Sequence, residues 1–297
     1  MDKILILVLA SNTYPSLRNE KAIKKTWAKQ NHKNIDIVFY KSGNKNKFKN
    51  NNLTVLSGKK TSDIGHKTLR AFEWAIKNAD YEYIFRTNTS SYINILELQK
   101  YIKNLDKSQK FIYNGVIMSL PKNNIRNKVD FVSGAGILFN RNSIELLLSK
   151  ESDFNLQDWD DVAIGRLFQD NNIKPSSGYR FDIEGNIFKQ KIENRHYHYR
   201  CRIDNHYGYP RFLEKNVIFF LHDRLTNKNY VESNVKILLY KILFELSRIT
   251  YIQSPIWNLY NTSKTILKKS LPNSVYINLK KYLKIVDMNI KLRYLKK

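Results

Sequence analysis

The sequence predicts an α/β fold, a mixed and mainly parallel sheet flanked by helices, followed by a basic helical C-terminal extension. Three observations predict it. Through the first 140 residues, short apolar runs alternate with segments of helical periodicity, the pattern of strand-helix-strand units. The composition is that of a packed chain, 42% hydrophobic and 13% aromatic with only 10 Gly and 6 Pro in 297 residues, which excludes fibrous and disordered classes. From residue 231 the pattern becomes helical and the charge strongly positive, with 13 Lys and Arg against 3 Asp and Glu over 231–297. The sequence therefore divides into a domain over 1–230 and an extension over 231–297.

The first apolar run, residues 4–10, has the length of a signal-peptide core but no convincing small-residue cleavage site. It reads as a buried strand over 4–9. Residues 18–29 form a helix with Ala22, Ile23 and Trp27 on one face, and 35–40 and 53–56 are further strands. Residues 62–78 make an amphipathic helix with Leu69, Phe72, Ala75 and Ile76 at helical spacing and Thr61 or Ser62 as its cap. Strands over 81–85, 111–118 and 131–139 and helices over 93–102 and 142–148 follow. Residues 158–169 are helical and open on carboxylates, which the positive end of a helix dipole favours. Residues 217–221 read as a strand, and the extension as helices over 231–250, 256–269 and 274–286, broken by Pro255 and Pro272.

A net charge of +25 calls for an anionic partner: nucleic acid, anionic lipid or a nucleotide phosphate. Lys and Asn crowd even ordinary loops, so part of the charge is compositional. The single Cys201 cannot close an intrachain disulfide, which suits a reducing, cytoplasmic setting. No apolar stretch reaches the ~20 residues of a membrane span, because Lys241, Glu245 and Arg248 interrupt the best one. The extension, with lysines among Leu, Ile and Tyr, offers a peripheral contact with an anionic membrane. Its plainer reading is a solvated helical appendage.

Three features bear on chemistry. Arg86-Thr87-Asn88-Thr89-Ser90-Ser91 follows a strand, where open α/β sheets bind ligands; the alternative is a polar turn capping the next helix. Ser133-Gly134-Ala135-Gly136 interrupts an apolar run with small residues, which admit a ligand or make a bulge. In Asp158-Trp159-Asp160-Asp161-Val162, neighbouring carboxylates oppose each other's ionisation, so one is a general-base candidate. The alternative is a carboxylate-capped helix.

Together these segments resemble the β-1,3-galactosyltransferase and Fringe family of glycosyltransferases, which have the GT-A fold. Ala22-Ile23-Lys24-Lys25-Thr26-Trp27 is similar to its Ala-Ile-Arg-x-Thr-Trp element. The stretch from Asp63 through Lys67-Thr68-Leu69 to Trp74 is similar to its helix ending in Trp. Phe131-Val132-Ser133-Gly134-Ala135-Gly136 is similar to its glycine-containing strand, and Asp160-Asp161-Val162 to its Glu-Asp-Val motif. Gly165 and Pro175 fall where the family has Gly and Pro.

The resemblance implies an inverting transfer from a nucleotide-diphosphate sugar, a UDP-sugar above all, to an acceptor hydroxyl on a glycan, lipid or protein. It implies Asp161 as catalytic base and Asp160 as the residue that orients acceptor or sugar. Donor-binding candidates are Lys67, Arg86, Asn88, Ser90, Gly134, Ala135, Gly136 and His222. His196 and His198, like His206, stand in Tyr- and Arg-rich segments and are read as ordinary hydrogen-bonding residues rather than ligands. The family holds Mn²⁺ or Mg²⁺ on an acidic triplet, but here the triplet is Asn88-Thr89-Ser90. Neutral oxygens are poorer ligands for these ions, so metal dependence is not carried over and no metal ligand is assigned. Two other classes compete: a noncatalytic relative, and a basic nucleic-acid-binding protein, which would show steeply salt-dependent affinity.

Overall fold

The computed structural model describes residues 2–29, 32–58, 63–120, 128–203, 209–227 and 235–252. Along the chain the elements are β1 (Ile4–Leu9), α1 (Ser16–Ile23), β2 (Ile35–Gly43), β3 (Lys47–Lys49), β4 (Asn52–Leu56), α2 (Ile64–Asn78), β5 (Tyr83–Asn88), β6 (Ser91–Ile93) and α3 (Ile95–Lys103). There follow β7 (Tyr113–Leu120), β8 (Val129–Asn140), α4 (Arg141–Ser149), α5 (Asp160–Asp170), β9 (Ser176–Ser177), β10 (Arg180–Asp182), β11 (His198–Arg200), α6 (Glu214–Thr226) and α7 (Val235–Ile252).

β1 carries no polar side chain because it lies in the middle of the sheet, covered on both faces. It pairs in parallel with β2 on one side and β5 on the other. β4 extends the parallel part beyond β2, and β3 finishes that edge antiparallel. Across β5 the direction reverses: β8 is antiparallel to β5, β7 is antiparallel to β8, and β9 runs parallel to β7. The order is β3-β4-β2-β1-β5-β8-β7-β9, a mixed, mainly parallel sheet flanked by helices, as the alternating pattern predicts. A second sheet, β10-β11-β6, lines up His198 with Ile93 and Arg180 with His198. One face of the large sheet is covered by α2, α4 and α5, whose Phe72, Ile144 and Phe168 pack with Tyr40, Ile137 and Phe139.

The differences from expectation have local causes. β5 runs on to Asn88, so Arg86 and Thr87 lie within the strand rather than after it. The first helix stops at Ile23, and the Thr26 hydroxyl donates back to the Ala22 carbonyl at 2.9 Å, a competing bond that favours the turns that follow. Residues 217–221 are helical, inside α6, rather than a strand. Val217, Ile218, Phe220 and Leu221 are all buried there, so a helix covered on most sides presents the same unbroken apolar run as a covered strand. The positions of Thr61, Ser62 and His206, and the helices expected over 256–269 and 274–286, lie outside the described residues.

The chain divides into two units. The first comprises residues 1–183, 192–202 and 214–228. The second comprises 184–191, 203–213 and the chain from 229 on, of which α7 is described. Within it Glu245 accepts a hydrogen bond from Asn186 Nδ2 at 2.8 Å, and Phe244 meets the rings of Phe188 and Tyr209. Among the described residues, no helix is long and apolar enough to cross a membrane.

Candidate active site

Arg86 of β5, Asp160, Asp161 and Gly134 come together at the middle of the first unit. Arg86 points from β5 into the protein and is 2% exposed. Its Nε donates to the Tyr40 hydroxyl at 3.2 Å, Nη1 donates to the Gly134 carbonyl, and Nη2 is bonded to the carboxylate of Asp160. Asp160, the first residue of α5, also accepts the Thr68 hydroxyl at 3.2 Å, and Thr68 lies 3.1 Å from the Tyr40 hydroxyl. Side chains from β2, α2, β5 and α5 thus close a buried polar network. Burial is the largest single influence and opposes the Arg86 charge, but Asp160, Tyr40 and Asp161 together outweigh it, and the guanidinium is held charged.

Asp161 is in a different position one residue on. It is half-buried, and its two oxygens accept backbone N–H groups, Gly134 at 2.7 Å and Val162 at 3.0 Å. Burial and then the neighbouring Asp160 raise its pKa, while the Gly134 amide, Arg86 and the Val162 amide pull it down; the first pair wins. Two adjacent carboxylates therefore have separate characters: Asp160 is tied to a cation, and Asp161 is a raised carboxylate, the condition that suits a general base.

The glycines are explained by space. A Cβ on Gly134 would lie 2.8 Å from Arg86 Nη1 and 3.0 Å from Asp161 Oδ2. On Gly136 it would lie 2.4 Å from Nδ1 of His198, which is buried and sits 3.0 Å from the Ser91 hydroxyl through Nε2. Between them the Ala135 carbonyl accepts the Thr87 hydroxyl at 2.7 Å. The small-residue run therefore lets the Arg86–Asp161 group and His198 approach the backbone of β8 closely.

Lys67 is buried on α2, in the field of Asp63 and Asp160, and burial lowers its pKa against their pull. It has no ion-pair or hydrogen-bond partner among the described residues. Asn88 Oδ1 accepts the Ser90 amide at 2.9 Å, shaping the turn between β5 and β6. Thr89 bonds Ser16 at 3.0 Å, and the Ser90 hydroxyl donates to Glu214 at 2.8 Å. Glu214, fully buried at the start of α6, also accepts Asn19 Nδ2 at 2.6 Å. The turn is thus a hydroxyl-and-amide structure bonded to α1 and α6, and it carries no carboxylate of its own. That donor set does not fit a resident Mg²⁺ or Mn²⁺, which require several hard oxygens, preferably anionic. Among the described residues no group of three His, Cys, Asp or Glu is arranged to hold a metal.

His222 stands apart from the Asp160–Asp161 group. It lies on α6, 3.3 Å from the Tyr92 hydroxyl, and burial and Lys29 lower its pKa against Asp223. Trp27 anchors the end of its segment by donating from Nε1 to the Ser91 carbonyl at 3.3 Å. Sequence reasoning missed Tyr40, Ser16 and Glu214. Tyr40 had no signal beyond its place at the end of an apolar strand, and Glu214 none beyond preceding an apolar run.

Residues 59–178 match the family model described as Galactosyltransferase, and this segment is galactosyltransferase-like. The match covers less than half of the 297 residues but includes Lys67, Thr68, Arg86, Gly134, Asp160 and Asp161. No curated protein matches the sequence. Among solved structures, the apo-form glycosyltransferase GlyE of Streptococcus pneumoniae TIGR4 is similar over 59% of this chain and 45% of that one, at 11% identity and a TM-score of 0.34. The chain thus spans less than half the length of that solved relative.

Proposed function

We propose that the protein is an inverting glycosyltransferase that moves a sugar from a nucleotide-diphosphate donor, a UDP-sugar, to an acceptor hydroxyl. The observation that carries this reading is the unequal environment of Asp160 and Asp161 within the galactosyltransferase-like segment. Asp161 takes the proton of the acceptor hydroxyl as its oxygen attacks the anomeric carbon from the face opposite the leaving diphosphate. General-base assistance of this kind is worth about 10²–10⁴ in rate. Its two backbone N–H bonds fix the carboxylate, so little reorganisation accompanies proton transfer. Asp160 and Arg86 hold the start of α5 against β5 and set the position of Asp161.

The leaving diphosphate gathers charge that cations must offset. The makeup of the 88–90 turn supports a transfer that needs no divalent ion, with lysine and arginine in its place. The acceptor hydroxyl belongs to a glycan, a lipid-linked sugar or a protein, and the extension over 231–297 is the candidate contact for a membrane-borne acceptor. The protein acts on the cytoplasmic side.

The test is a turnover screen of nucleotide sugars that measures released nucleoside diphosphate, with Asp161→Asn beside the unaltered protein. Loss of at least about 10²-fold in kcat for Asp161→Asn, with the fold intact, is expected. Full activity in that variant would remove Asp161 from the mechanism.

A further inference from the structure

Two cations outside the Asp160–Asp161 group stand close together without an ion-pair partner among the described residues. Asn19 on α1 and Glu214 on α6 are joined by a 2.6 Å hydrogen bond, which brings the neighbouring residues Arg18 and Lys215 to one junction. Arg18 Nη1 is buried and has no hydrogen-bond partner among the described residues, and its guanidinium stands over the Tyr14 ring, 5.5 Å from the centroid. Neither Arg18 nor Lys215 has an ion-pair partner among the described residues. The charges act on each other: burial and then Arg18 lower the Lys215 pKa.

One oxygen of the Glu214 carboxylate accepts from Asn19 and Ser90, and the carboxylate makes no ion pair with Arg18 or Lys215. The Ser90 bond also places the junction beside the 88–90 turn, at the carboxyl ends of β1 and β5. The chain connects β1 outward to β2 on one side, and returns through α2 to β5 on the other. This is the topological switch point at which open α/β sheets take ligands. Two like charges brought together and partly desolvated raise the energy of the unliganded protein, and an anion bridging them removes that cost.

From this arrangement we infer that Arg18 and Lys215 form an anion subsite for the diphosphate of the donor, supplying beside the 88–90 turn the positive charge that its hydroxyls and amide do not. The inference rests on the transferase reading for the identity of the ligand but not for the existence of the site. Arg18 offers a planar fork of donors to two phosphate oxygens, and Lys215 a point charge.

The experiment is calorimetric titration of the full chain with inorganic pyrophosphate, UDP and inorganic phosphate in buffer containing EDTA. The variants are Arg18→Gln, Lys215→Met and, as a control for bulk charge, Lys103→Met on the exposed face of α3. The expected result is pyrophosphate and UDP binding that Arg18→Gln and Lys215→Met each weaken by about ten- to a hundredfold, the value of charge-assisted hydrogen bonds, and that Lys103→Met leaves intact. Each of the two variants is also expected to melt no lower than the unaltered protein, since removing one cation relieves repulsion. A merely structural role would give the opposite. Pyrophosphate affinity within twofold of the original in both variants, or an equal loss in Lys103→Met, overturns the subsite. Binding that depends on both residues without turnover of any nucleotide sugar keeps the subsite and defeats the transferase reading. Turnover unaffected by both substitutions does the reverse.

Discussion

Replacing Arg86 with Met tests the network under the site most directly. The substitution removes the partner of Asp160 while keeping an apolar stem of similar length. Arg86 gives three hydrogen bonds, to Tyr40, Gly134 and Asp160, from a position 2% exposed. Without it, the Thr68 hydroxyl at 3.2 Å is the remaining described donor to the Asp160 side chain. Breaking a buried ion pair by removing one partner costs about 3–5 kcal/mol, because the other charge is left uncompensated. Each kcal/mol lowers the melting temperature by roughly 2–4 °C in a domain of 150–250 residues, so a fall of about 6–20 °C is expected. Calorimetry at neutral pH reads it. The double variant Arg86→Met with Asp160→Leu should recover most of the loss, because replacing both partners by apolar groups is close to neutral. A loss under about 1 kcal/mol in the single variant, or a double variant as unstable as the sum of the singles, would refute the reasoning.

Asp161 gives a linked prediction about pH. Its folded-state pKa is raised, so the stability it contributes is present below the unfolded value of 3.8 and is lost as pH rises through the folded value. Asp161→Asn should therefore unfold at higher denaturant than the original protein at neutral pH, with the gap closing toward acid, while transfer is lost. The acid limb of the rate profile should fall above the usual aspartate value, as a base with a raised pKa requires; a limb at the usual aspartate value would point to another base. Gly136→Ala would put a Cβ 2.4 Å from His198 Nδ1 and should cost about 1–3 kcal/mol in urea unfolding, since His198 is buried, packed edge-on against Phe85 and 3.0 Å from the Ser91 hydroxyl. Transfer should persist in EDTA, and restoration only by added Mn²⁺ would show that acids elsewhere in the chain hold a metal.

The sheet was legible because its centre is written in local pattern. β1 is six apolar residues, and the helices that cover the sheet show their faces at helical spacing. The strand expected over 217–221 failed because a run of buried apolar residues carries no period, and only the surrounding packing decides between helix and strand. The carboxylates of Asp160 and Asp161 were legible as a pair, but their division of labour was not. It depends on Arg86, 74 positions earlier, and on Gly134, 27 positions before Asp161, and no local rule joins such distant residues. Glu214 was illegible for the same reason, with Ser90 and Asn19 lying 124 and 195 positions away.

That last carboxylate sets a limit on how the protein can be dissected. An expression fragment cut to the galactosyltransferase-like stretch, 59–178, would discard β1 and β2, leaving β5 a bare edge and Arg86 without its Tyr40 hydroxyl. Extending such a fragment back to the first strand but ending before Glu214 would still strand the Ser90 hydroxyl and the Asn19 amide in the interior. The same reasoning reaches past α6, because Glu245 and Phe244 of α7 meet Asn186, Phe188 and Tyr209, so the shortest fragment worth purifying starts before Ile4 and runs through α7.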